Sequence, residues 1–178
     1  MQELFANPLR DWITALIIFG VVFTLLLGTR MFVARRVKRA AVPPSHVRAL
    51  VTDLVRRTRL YFILVVALWA GSLLLTLSAH YEHVWRLIVL VIALIQVGLW
   101  AGGLVGFWVE RVADHRAADA GTRMTINVVG IAVRVMLWLV VLLVILDNLG
   151  INITALVTGL GIGGIAIALA GQNILGDL

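Results

Sequence analysis

Residues 149–178 read LGINITALVTGLGIGGIAIALAGQNILGDL. The stretch is long enough to cross a bilayer as a helix, yet about every second residue in its middle is Gly or Ala. A helix bathed in acyl chains is served well by Leu, Ile and Val and has no need of small residues. They matter where another helix backbone comes very close. The segment therefore predicts copies of one helix packed around a common axis, with the remaining large residues deciding what fills that axis.

Helical steps of three and four divide the segment into faces. One stripe holds Thr158, Ile162, Ile165, Leu169 and Gln172. Gly161, Gly164, Ala168 and Gly171 flank it on one side, and Gly159, Gly163, Ala166 and Ala170 on the other. In a ring each helix touches a neighbour on both sides, so two small flanks suit close packing and the bulky stripe faces the axis. Ile165 and Leu169 lie one turn apart, roughly 6 Å along the axis, and would stack as two apolar collars. Such a constriction stops ions by dewetting, without a physical plug. No acidic or basic residue lies between Ile151 and Asn173, so the wall forms no charged ring and weak ion discrimination is expected. Gly171 and the polar pair Gln172 and Asn173 are candidate places for the helix to bend out of the membrane. Ile174, Leu175 and Leu178 then resume an amphipathic pattern, expected to run along the cytoplasmic interface. The sequence stops at Leu178 partway through that pattern with no terminating signal, and so reads as a truncated chain.

The rest of the chain is equally apolar. Of 178 residues, 62% are hydrophobic and only 13% charged, with a mean hydropathy of +1.05. A soluble domain of this size needs a charged exterior that these residues cannot supply. With no cysteine, disulfides, thiol catalysis and Cys-ligated zinc are excluded. The net charge of +6 would suit nucleic acid in a soluble protein. Here most basic residues flank apolar runs, where they meet lipid headgroups and set orientation.

Five apolar runs have spanning length: about 12–33, 60–77, 84–109, 126–146 and 153–170. They lack barrel-like alternation, so an all-α membrane protein with five transmembrane helices is predicted. The first run is a poor secretory signal, because its start lacks a clearly basic region and its basic residues follow it. Arg30, Arg35, Arg36, Lys38, Arg39, Arg48, Arg56, Arg57 and Arg59 lie between or beside the first two runs, and Arg111, Arg116 and Arg123 between the third and fourth. The opposite side has only Arg10 and Arg86. The positive-inside rule then puts the N-terminus outside and the C-terminus in the cytoplasm. Residues 1–124 form a membrane region of three sensor helices with a basic linker, and 125–178 a channel core.

Within that linker Pro43-Pro44 breaks any continuous helix. Ser45 is a candidate N-cap for a helix running through Arg59 into the second span. Its basic face suits anionic headgroups or plain solvent equally. Gly98, Gly102 and Gly106, at steps of four, leave one face of the third span bare. Helix packing within one subunit is the ordinary reading, and a lipid-filled groove the alternative. Trp12, Trp85 and Trp108 near span ends read as interfacial belts, and Trp69, Trp100 and Trp138 as packing residues.

Arg134 is the one charge deep in a span. Such charges are costly and mark function by default. It could hold a lipid phosphate, a wet crevice or a neighbouring carbonyl, or snorkel to the headgroups as an anchor. Asp147, about 20 Å away along the helix, is too far to pair with it. His80, Glu82 and His83 could approach one metal, but two His and a non-ideal carboxylate are a weak set, and no metal or cofactor is predicted. His46 and His115 lie alone. Asn152-Ile153-Thr154 matches a glycosylation sequon by chance. Ser45, Ser72 and Ser78 have no His and carboxylate arranged around them, no nucleotide loop or hydrolase elbow occurs, and no enzyme is predicted.

The run GLGIGGIAIALAGQNILGDL resembles the pore-lining helix of the MscS-type small-conductance mechanosensitive channels. The resemblance extends from about Thr125 to Leu178, with Arg134 and the Leu149-Gly150 turn falling into place. It implies a homoheptamer in the bacterial inner membrane, with membrane lipids as the other partners and no nucleic acid. It also implies a pore closed at Ile165 and Leu169, with Gly161, Gly164, Ala166 and Ala168 packing neighbouring pore helices. The family often bends this helix at a glycine just after the Gln. Asn173 holds that place here, while Gly171 precedes Gln172, so either can be the bend. The family continues into a β-rich cytoplasmic vestibule that these residues do not include. Five spans suit its larger members.

The activity so implied is an ion channel opened by membrane tension, releasing ions and small solutes on hypo-osmotic shock. A secondary transporter would need a midplane polar site and usually internal repeats. Arg134 alone is present, without a repeat. A non-conducting scaffold would tolerate apolar collars with no pore.

Overall fold

A computed structural model of the chain describes residues 7–39, 46–76, 79–116 and 120–176. Their regular structure is entirely helical: α1 (Leu9–Arg39), α2 (His46–Arg57), α3 (Leu60–Ser72), α4 (Ala79–Arg116), α5 (Ala120–Asn148) and α6 (Thr154–Gly176). Within α1, α4 and α5, the stretches Leu9–Arg35, Tyr81–Ala113 and Gly121–Asn148 are long and apolar enough to cross a membrane. Two shorter apolar stretches, Leu60–Ser72 and Thr154–Ala170, accompany them. Among the described residues three helices therefore meet the length expected of a span, where the sequence pattern suggests five. Ser45 lies outside the described residues.

Two compact units divide within α5, one ending at Val141 and the other beginning at Leu142. In the first, α1 packs most extensively on α3, and α2 touches both α1 and α4. Ala15, Ile63, Ala67 and Gly71 are buried at the α1–α3 crossing. The backbones come so close there that a Cβ on Gly71 would lie 2.8 Å from the Ala15 carbonyl oxygen. Hydroxyls along α1 turn back onto their own helix, Thr14 donating to the Arg10 carbonyl at 3.0 Å and Thr24 to that of Gly20 at 2.6 Å. A helix facing lipid must satisfy its polar groups internally in this way.

The second apolar run departs from expectation at both ends. The helix anticipated through Arg59 is broken: α2 ends at Arg57, and Arg59 is extended, with φ −77° and ψ 151°. The Thr58 amide and hydroxyl both donate to the Leu54 carbonyl, at 3.0 Å each, closing α2. At the other end α3 stops at Ser72 and a turn follows to Thr76. Asn7 anchors that turn, donating from Nδ2 to the Thr76 carbonyl at 3.1 Å and accepting the Thr76 amide at 3.0 Å. Trp85 Nε1 donates to Ser72 Oγ at 2.9 Å, so this ring, read as an interfacial belt, also ties α4 to the end of α3. Side-chain partners at each end make a short helix cheaper than a continuous one. Its 13 residues measure only about 20 Å.

The third and fourth runs lengthen into α4, of 38 residues, and α5, of 29. Gly98 lies against Trp138 and Val141, Gly106 against the Arg134 guanidinium, and Gly130 against Val109. The ordinary reading of the glycine-bare face is thus correct at two of its three positions. A Cβ on Gly102 would meet nothing within 4 Å. Trp69 is more exposed than a packing residue should be, at 42%.

Candidate pore helix

The second unit, from Leu142, takes in about the last two turns of α5 together with α6. Between the helices Gly150 has φ +80°. Its amide donates to the Asp147 carbonyl and that of Ile151 to the Leu146 carbonyl, both at 3.0 Å. These are the two bonds of a Schellman ending, whose left-handed residue favours glycine. Asn152 Oδ1 then accepts the Thr154 amide at 2.9 Å, supplying a partner to one of the unpaired donors that open α6. The turn is consequently short and closed by its own bonds.

α6 runs from Thr154 to Gly176, so the helix is continuous through Gly171, Gln172 and Asn173, the candidate bend positions. Thr158 donates its hydroxyl to the Thr154 carbonyl at 2.8 Å, leaving the oxygen as an acceptor. Thr158, Ile162, Ile165, Leu169 and Gln172 are all exposed, Ile165 at 63% and Leu169 at 58%. A Cβ placed on Gly159, Gly161, Gly163 or Gly164 would meet nothing within 4 Å. Ala166 and Ala168 are likewise exposed. In one chain, then, both small flanks and the bulky stripe between them are bare. The side chain of Asn173 lies outside the described set.

Arg134, on α5, is exposed and places Nη2 only 2.8 Å from where a Cβ of Gly106 would stand. The missing side chain at Gly106 makes room for the guanidinium. Among the described residues no three His, Asp or Glu side chains gather as a metal site. His83 is exposed, and the side chains of His46, His80 and His115 lie outside the described set.

One polar residue escaped the sequence reading. Gln96 is fully buried at 0% exposure. It accepts the Arg59 amide at 3.2 Å through Oε1 and donates to the Arg57 carbonyl at 3.2 Å through Nε2. A lone amide in an apolar run was the available signal, but only the position of the α2–α3 break reveals its partner.

Residues 132–172 match the family model described as mechanosensitive ion channel, transmembrane helices 2/3. The chain is also similar to the large-conductance mechanosensitive channel MscMJLR of Methanocaldococcus jannaschii, 56% identical over 46 residues. That alignment covers 26% of this chain and 13% of the relative's length. No solved structure matches the chain. The resemblance to mechanosensitive channels read from the α6 sequence therefore stands, and the matched segment is α5 from Ala132, the Gly150 turn and α6 through Gln172. Both matches are to membrane channel proteins.

Proposed function

We propose that the protein is an ion channel gated by membrane tension, with α6 as its pore wall. The observation that carries the reading is the family match across residues 132–172, which falls on the helix whose small flanks are bare in one chain. Seven copies of α6 surround an axis. Gly161, Gly164, Ala166 and Ala168 let neighbouring backbones touch, and Ile165 and Leu169 form two dry collars. Thr158, Ile162 and Gln172 line the remaining wall. Gly171 or Asn173 bends the helix toward the cytoplasmic interface. Arg134 binds a lipid phosphate or anchors α5 at the headgroups.

Open and closed rings differ in the membrane area they occupy, and tension favours the wider one in proportion to that difference, as a ligand favours the state it binds better. The five apolar runs make five crossings, the distribution of basic residues puts the N-terminus outside and the C-terminus in the cytoplasm, and the family resemblance implies a bacterial inner membrane. Residues 1–124 take up bilayer force and 125–178 conduct. The physiological role is release of ions and small solutes after hypo-osmotic shock.

The test is recording from the full-length protein in liposome patches under graded suction. Channel currents that rise steeply with tension are expected. Saturable uptake of one substrate without single-channel currents would identify a transporter instead, and silence of correctly inserted protein at all tensions a scaffold.

A further inference from the structure

The elbow between α2 and α3 has a physical problem that α4 solves. The helix above it measures about 20 Å, whereas the hydrocarbon core is about 30 Å thick. A helix so short cannot reach both faces of that core, so at least one of its broken ends lies within the hydrocarbon. Broken backbone at that depth is tolerated only where protein satisfies the freed groups. Two of the backbone groups freed at the elbow, the Arg57 carbonyl and the Arg59 amide, are taken by Gln96. One turn further along α4, Trp100 Nε1 donates to Thr58 Oγ1 at 3.2 Å, and its ring meets Phe62 edge-on at 5.7 Å. A further turn on, the Arg57 side chain lies over Gly103, where a Cβ would approach its Nε to 2.5 Å.

Gln96, Trp100 and Gly103 thus form one stripe at helical spacing, all directed at residues 57–62. No buried side-chain polar atom among the described residues lacks a partner, and the buried Gln96 amide finds both of its partners at the elbow. A different face of α4 carries Gly98, Gly106 and Val109, which meet α5. α4 therefore stands between the elbow and the helix that leads into the pore segment.

We propose that Gln96 and Trp100 are positioning residues that latch the α2–α3 elbow to α4, and that this latch carries bilayer force from α1–α3 to α5. The part concerning force rests on the tension-gated reading above. The part concerning the latch does not. Unlatched, the outer helices slide in the bilayer without moving α5, and more tension is needed to open the pore.

Gln96→Met keeps the volume and removes both amide bonds. Trp100→Phe removes the bond between ring and hydroxyl, and Thr58→Val removes that bond together with the hydroxyl's own bond to the Leu54 carbonyl. In full-length protein in liposome patches, all three are expected to raise the midpoint tension. The Thr58→Val/Trp100→Phe double variant should shift it no further than Thr58→Val alone, a non-additivity that general destabilisation would not produce. Unchanged or lowered midpoints, or additive shifts, overturn the force-carrying role. Backbone hydrogen exchange at residues 57–60 of the same proteins in nanodiscs reads the latch directly, and Gln96→Met should accelerate it. Unaltered exchange overturns the latch. If the wild-type protein shows no tension-activated current, the channel reading falls and with it the force-carrying role, while the exchange result still decides whether the latch exists.

Discussion

Gly150 is the residue at which backbone sterics matter most. Its φ of +80° lies where an L side chain costs roughly 1–2 kcal/mol. Gly150→Ala should therefore loosen the α5–α6 turn and lower the thermal midpoint of the detergent-solubilised protein, with Gly150→Asn milder, since Asn tolerates this conformation better. An equal loss for both would mean that the strain argument does not govern the turn. Leu169 tests a different property, the dryness of the collar. Leu169→Ser adds a hydroxyl to one of the two proposed collars, so on that reading the variant should leak or open at lower tension than wild type. An unchanged threshold in patches would remove Leu169 from the gate. The bulky stripe between two small ones, on which the proposed collars rest, was legible from residue type and spacing alone. Gln96 was not, because an amide in an apolar run has no assigned partner until a second helix is broken beside it.

At the scale of elements, helix length separates what pattern reading can and cannot deliver. α4 and α5 were visible as continuous apolar runs, and only their ends moved outward. α3 was read as a full span because Leu73, Leu74, Leu75 and Leu77 continue the hydropathy past Ser72. Its actual ends depend on Asn7 and Trp85 at one end and Gln96 and Trp100 at the other, residues remote in sequence. The glycine face of α4 was legible as a bare strip, and its contact with Trp138 and Arg134 of α5 needed the fold. On α6 the equivalent surfaces touch nothing in one chain, which leads to a prediction about helix against helix. Gly164→Val adds bulk to a flank that the proposed ring packs against the neighbouring copy, where overpacking typically costs 1–3 kcal/mol. Opening in patches should be hindered and the ring less stable to detergent. Normal gating with an intact ring would contradict close packing along that flank.

For the whole molecule, orientation and copy number are the quantities to measure. The chain has no cysteine, so single introduced thiols report cleanly. His83→Cys should react with an impermeant maleimide added outside intact cells, and Met124→Cys only after the membrane is permeabilised. The reverse pattern would invert the topology drawn from the basic loops. Imaging the full-length protein in lipid should show seven copies with Ile165 and Leu169 toward the axis, and a ring in which these residues face acyl chains would refute the pore wall. The sequence by itself determined the membrane solvent, the helical class and the stripes of α6, because hydropathy and helical periodicity are local properties of consecutive residues. Only the tertiary structure decided where the α2–α3 backbone breaks, how short α3 is and which side chains accept the freed groups. Those outcomes are set by hydrogen bonds between residues up to 69 positions apart, whose pairing no single segment encodes.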